Sequence, residues 1–106
     1  MVTELSPKDC AQKLLAEPDT VLLDVREDWE RAIVHLNHGL AIPMGQIPER
    51  RHELSPEKTV IVMCHGGIRS RKVAEYLDAH GFASVFNMTD GIAGWQRDVD
   101  PSLATY

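Results

Sequence analysis

The sequence predicts an α/β fold, an open parallel sheet with helices on both faces. Three observations carry this reading. Short, nearly continuous apolar runs recur at TVLLDV (20–25), TVIVM (59–63) and ASVFNM (83–88), the pattern of strands buried on both faces. Segments of helical spacing lie between them, and strands that alternate with helices build a parallel sheet. The 106 residues contain no linker, repeat or low-complexity stretch, so they are expected to form one domain, 1–106.

In chain order, Ser6-Pro7 reads as an N-cap followed by proline at the first helical position. Ala11, Leu14 and Leu15 supply the apolar stripe of that helix, and Glu17-Pro18-Asp19 stops it. After the strand at 20–25, REDWERAIVH (26–35) reads as a helix with Trp29, Ala32 and Ile33 on one side. Asn37-His38-Gly39 is a turn signal, LAIP (40–43) a short strand and MGQIPER (44–50) a short helical segment. Ser55-Pro56-Glu57-Lys58 turns the chain into the strand at 59–63. From Arg69 the spacing of Val73, Ala74 and Leu77 is helical, and Gly81 follows as a left-handed cap. Gly91-Ile92-Ala93-Gly94-Trp95 opens a last short helix, and the tail DPSLATY (100–106) is irregular.

Composition narrows the function classes. The chain is 43% hydrophobic and 25% charged, an ordinary globular balance, with a net charge of −5. That sign argues against a nucleic-acid or acidic-membrane partner. The five histidines are scattered; His35 and His38 lie close, but no second pair follows at zinc spacing, so no metal is expected. MVTELSPKDC has no apolar leader core, and no apolar run approaches the ~18 residues that span a bilayer. Two cysteines in such a chain are more often reduced than bridged, which suggests a cytoplasmic protein with free thiols.

The chemistry concentrates at Cys64-His65-Gly66-Gly67-Ile68-Arg69-Ser70. Cys64 ends the strand TVIVM, and in open α/β sheets ligands bind beyond the carboxyl ends of the strands. Taken alone, a cysteine there reads as a small buried hydrophobe. Gly66 and Gly67 change the balance, because both can take positive φ and let successive N–H groups turn inward. The helix that follows adds free N–H groups and the positive end of its dipole. Arg69 closes the loop, where its fork could hold an oxyanion. Together these features favour a negative sulfur.

The segment resembles the active-site loop of the rhodanese (sulfurtransferase) family, in which a cysteine is followed after four residues by arginine, here Cys64 and Arg69. The resemblance covers nearly the whole chain. Leu23-Asp24-Val25-Arg26-Glu27 looks like the family's first-strand signature, and His35-Leu36 with Ile42-Pro43 is similar to the segment after it. Asn87 through Trp95 is similar to the family's last strand and turn, although Asp90-Gly91 stands where the family often has two glycines. A related phosphatase cradle is one residue longer, and position 70, where it would need arginine, is Ser70. The resemblance implies a rhodanese-like open parallel sheet of about five strands with helices on both faces.

It also implies a double displacement. The Cys64 thiolate takes the outer sulfur of a small anionic donor such as thiosulfate, holds it as a persulfide, and passes it to cyanide or a thiol, with no metal or organic cofactor. Cys64 and Arg69 would be catalytic, and His65, Gly66, Gly67, Ile68 and Ser70 would line the substrate site. Asp24 and Arg26, at the same sheet edge, would brace the loop or simply pair with each other. Plain helix capping is an equal reading for Ser70, and solvent for His65. Arg71 and Lys72 read as a solvated helix face, Trp95 as core, and Cys10, with no basic neighbour but Lys8, as inert. His35 and His52 read as exposed or hydrogen-bonded. The rival reading is a relay or interaction module that carries sulfur for a protein acceptor. The oligomeric state is open.

Overall fold

In a computed structural model, which describes residues 1–106, the three apolar runs are strands and two more join them. Strands β1 (Val2–Leu5), β2 (Val21–Asp24), β3 (Leu40–Ala41), β4 (Thr59–Met63) and β5 (Ser84–Met88) form one parallel sheet in the order β1-β5-β4-β2-β3. Apolar β4 lies at the centre, with Val60 through Met63 buried. Its register sets Asp24 beside Met63 and Asn87 beside Val62. The carboxyl ends of β2, β4 and β5 therefore arrive together, which brings the residues beyond them to one edge.

Four helices cross between the strands, α1 (Pro7–Ala16), α2 (Asp28–Ile33), α3 (Ile47–Arg50) and α4 (Ile68–Ala79), and a fifth, α5 (Gly91–Asp98), follows β5. Because successive strand residues point to opposite faces, the sheet feeds two cores. Leu23, Val60, Val62 and Val85 pack with Ile47 of α3 and Val73, Ala74 and Leu77 of α4. Leu22, Ile61, Met63 and Met88 pack with Cys10 of α1 and Ile92 and Trp95 of α5. Trp95 is thus core, as its spacing suggested. Ser6 caps α1 as expected, accepting from the Asp9 amide at 3.2 Å.

One strand, β1, went unread, and three expectations are corrected. β1 carried no apolar run because it is an edge strand, half-exposed, with Thr3 and Glu4 facing out. Strand β3 stops at Ala41, level with the end of its one partner β2 at Asp24, although Ile42 and Met44 still donate to the Asp24 and Val25 carbonyls at 3.0 Å each. Leu15 is exposed, so the buried side of α1 is Cys10 with Ala11 and Leu14. Helix α2 is shorter than 26–35 and turned the other way: Trp29 is 63% and Ile33 45% exposed, while Glu30 is its buried residue. Periodicity finds a helix's apolar face only when that face meets the core. Here the carboxylate at position 30 is engaged in the site.

Candidate active site at Cys64

The loop between β4 and α4 is shaped from both sides. Gly67 takes φ +102° and caps α4, and its amide donates to Cys64 Sγ at 3.1 Å. On the far side, the first amides of α5 hold the loop's carbonyls, Ile92 N on Cys64 O at 2.8 Å and Ala93 N on His65 O at 3.1 Å. With those carbonyls drawn outward, the amides of Gly66, Ile68 and Arg69 donate to no protein acceptor. The close approach requires Gly91, since a Cβ there would lie 2.4 Å from Cys64 O and 2.5 Å from His65 O. Asp90, at φ +61°, takes the left-handed position where the family often has glycine; a short polar side chain tolerates it. Of the two loop glycines only Gly67 has positive φ, and a Cβ on Gly66 would meet nothing within 4 Å.

Beneath the sulfur lies a fully buried polar chain. The Cys64 thiol donates to Ser70 Oγ at 3.3 Å, and Ser70 donates to Asn87 Oδ1 at 2.5 Å. Asn87 Nδ2 donates in turn to Glu4 Oε1 at 2.9 Å and Gly67 O at 3.2 Å. Ser70 is neither a cap, a role Gly67 fills, nor open to a substrate; it supports the sulfur from below. Ile68 points away from the sulfur's surroundings into solvent, 75% exposed.

The rim is a second network. Arg69 sends both Nη atoms to Glu30, at 2.6 and 2.8 Å, so the fork expected to hold an oxyanion holds a carboxylate of the chain itself. Glu30 also accepts from the Glu27 amide at 2.9 Å and from Tyr106 Oη at 2.7 Å. Arg69 above all, then these donors, hold the Glu30 carboxyl down to about 2 against its burial. Tyr106 Oη accepts from Arg26 Nη1 at 3.1 Å, and its ring stacks on His65 with centroids 4.1 Å apart. His65 therefore sits at the rim against an aromatic ring.

Arg26 is fully buried, with Nε and Nη2 on Asp24 and Nη2 also on the Val34 carbonyl at 2.9 Å. Asp24 and Arg26 do form an ion pair, and their link to the loop is indirect, through Tyr106, Glu30 and Arg69. Cys10 is buried in α1, and burial followed by the nearby Asp9 charge pushes its thiol up to about 12, consistent with an inert role. Glu30, Tyr106, Asn87 and the constraint on Gly91 escaped sequence reading. The one local signal among them was Asn87, a polar residue inside an apolar strand.

A parallel sheet whose central strand delivers a cysteine into an amide-lined loop capped by a helix defines a class of covalent α/β catalysts and carriers. The chain belongs to the Rhodanese-like domain family, which matches residues 7–98. YtwF of Bacillus subtilis is 35% identical to it over 100 residues, covering 94% of this chain and 96% of that protein. A protein named sulfurtransferase from Allochromatium vinosum is 33% identical over 104 residues, covering 98% and 97%. Among solved structures, a rhodanese-like domain protein from Staphylococcus aureus matches with a TM-score of 0.83 at 30% identity, covering 98% of each chain. No helix of the chain is long and apolar enough to cross a membrane.

Proposed function

We propose that this chain is a thiosulfate sulfurtransferase-like enzyme, one rhodanese-like domain acting in the cytoplasm, where a thiol nucleophile stays reduced. The observation that carries the reading is the Gly67 amide directed at Cys64 Sγ at 3.1 Å, beside the unengaged amides of Gly66, Ile68 and Arg69. Amides so placed stabilise negative charge on the sulfur and, one bond further out, on a persulfide. The name of the Allochromatium relative supports the same reading.

In the loading step the Cys64 thiolate attacks the outer sulfur of thiosulfate. The new Sγ–S bond forms as the bond to the sulfonate sulfur breaks, and sulfite leaves with that electron pair. In the second step an acceptor's lone pair attacks the terminal sulfur, and the Sγ–S electrons return to Cys64 as thiolate. Cyanide gives thiocyanate and a thiol gives its persulfide. No external oxidant or reductant enters either step. Arg69, restrained by Glu30, supplies positive charge at the rim for the anionic donor, and His65 stands where the acceptor approaches.

One observation favours a relay to a protein acceptor as the second reading: the exposed Trp29 and Ile68 are the chain neighbours of Glu30 and Arg69, so apolar surface flanks the rim. The test is intact mass after incubating reduced protein with thiosulfate, with Cys64→Ser alongside. Gain of one sulfur on wild type alone, reversed by cyanide, is expected. No gain from thiosulfate, but gain from a loaded protein persulfide, would replace the first reading with the second. Gain on both proteins would overturn the site.

A further inference from the structure

Tyr106 lies in the irregular tail, far in sequence from the loop, yet its place is tightly specified. Asp100 Oδ1 accepts from the Ser102 amide at 3.1 Å and hydroxyl at 2.5 Å, fixing the turn after α5. The buried side chain of Gln96 donates to the Ala104 carbonyl, and Leu103 packs onto the core face beneath. These ties deliver the Tyr106 ring between His65, stacked at 4.1 Å, and Trp29, edge-on at 6.0 Å.

The direction of the phenol's hydrogen bonds is forced. Arg26 can only donate, and its Nη1 has Tyr106 Oη as its acceptor while Nε and Nη2 serve Asp24 and Val34. The phenol oxygen therefore accepts from Arg26, and its own proton goes to Glu30 at 2.7 Å. Glu30 divides its negative charge among Tyr106, the Glu27 amide and Arg69. Whatever share Tyr106 neutralises is a share that no longer offsets Arg69. Arg69 stands in the first turn of α4, directly after the loop whose Gly67 amide donates to Cys64 Sγ, so its charge lies at the rim that an anionic reagent must cross to reach the sulfur.

We infer that Tyr106 is a positioning residue of the Cys64 site: by holding Glu30 through its hydroxyl, it sets how strongly Arg69 draws an anionic reagent to the sulfur. This deepens the sulfurtransferase reading, because the donor that reading requires is an anion. The ring and the hydroxyl are separable, since Tyr106→Phe keeps the stack on His65 and removes only the polar contacts.

The experiment compares alkylation of Cys64 by iodoacetate, an anion, with iodoacetamide, its neutral counterpart, at low ionic strength where charge is least screened. In each case Sγ attacks the methylene carbon and iodide leaves. In Tyr106→Phe the iodoacetate rate is expected to fall about three- to tenfold, the range of a lost hydrogen bond to a charged group partly rescued by solvent, with the iodoacetamide rate little changed. A general loosening of the fold would move both rates together. In a Glu30→Gln background Tyr106→Phe should have no further effect on the ratio, because the residue it acts through is already neutral. An unchanged ratio in Tyr106→Phe, or the same fall with Glu30→Gln present, would overturn the inference. Thiosulfate loading, followed in parallel, should fall with iodoacetate. If wild type never loads, the sulfurtransferase reading fails while the alkylation ratio still decides the role of Tyr106.

Discussion

Ser70 shows how far one residue's role depends on a partner the local sequence does not reveal. Its hydroxyl is fully buried, accepts from the Cys64 thiol and donates to Asn87 on β5. Ser70→Ala removes a donor that buried Asn87 Oδ1 has in the folded protein and an acceptor that Cys64 has. Leaving such a group unsatisfied costs about 1–3 kcal/mol. The expected result is a lower denaturation midpoint, with slower thiosulfate loading measured by intact mass; unchanged stability would mean that Asn87 finds another donor. Cys64 and Gly67 were legible because their chemistry is written within a few consecutive residues. Glu30, Asn87 and Tyr106 were not, since each reaches the loop from another element. Arg69 was identified as the site's cation, but its partner Glu30, on α2, went unread.

At the scale of elements, the site is a junction between the start of α5 and the loop before α4. The first amides of α5 hold the Cys64 and His65 carbonyls, and this contact turns the loop's other amides free. Gly91→Ala tests the junction. Its Cβ would meet two backbone oxygens at 2.4 and 2.5 Å, and φ is +55°, so neither the clash nor the strain relaxes cheaply. A cost of about 2 kcal/mol or more is expected, which for a domain this small lowers Tm by roughly 10 °C. Sulfur loading should fall further than stability alone explains. Gly66→Ala is the control, because open space surrounds its Cβ and its φ is not positive; equal losses in both variants would show that the junction is not what shapes the loop. Among the strands, the most legible were those buried on both faces, β2, β4 and β5, while α1, α4 and α5 were legible from their caps and spacing. Edge strand β1 and helix α2 were missed or misoriented because their exposure or polar burial weakens the hydrophobic period.

For the whole molecule, the same contacts make the site inseparable from the fold. Glu4 on β1 reaches Asn87, and Tyr106 in the tail reaches Glu30, so segments from both halves of the chain meet at one loop. Glu30 lends this arrangement a pH dependence whose sign can be stated. Its carboxyl is held down from an ordinary 4.5 to about 2, with Arg69 the chief cause. A group depressed in the folded state stabilises the protein above its unfolded value, and that contribution is lost as pH falls through the folded value. Glu30 should therefore contribute fully above about pH 4.5 and lose its contribution between there and pH 2. At about 1.4 kcal/mol per pH unit, the amount at stake is about 3 kcal/mol. Denaturant unfolding of wild type and Glu30→Gln across this window isolates it, since the remaining carboxylates titrate in both proteins. The stability gap between the two should narrow by about that amount toward pH 2. A gap that stays constant would mean that Glu30 is as readily protonated folded as unfolded, and that Arg69 is free to turn toward the sulfur.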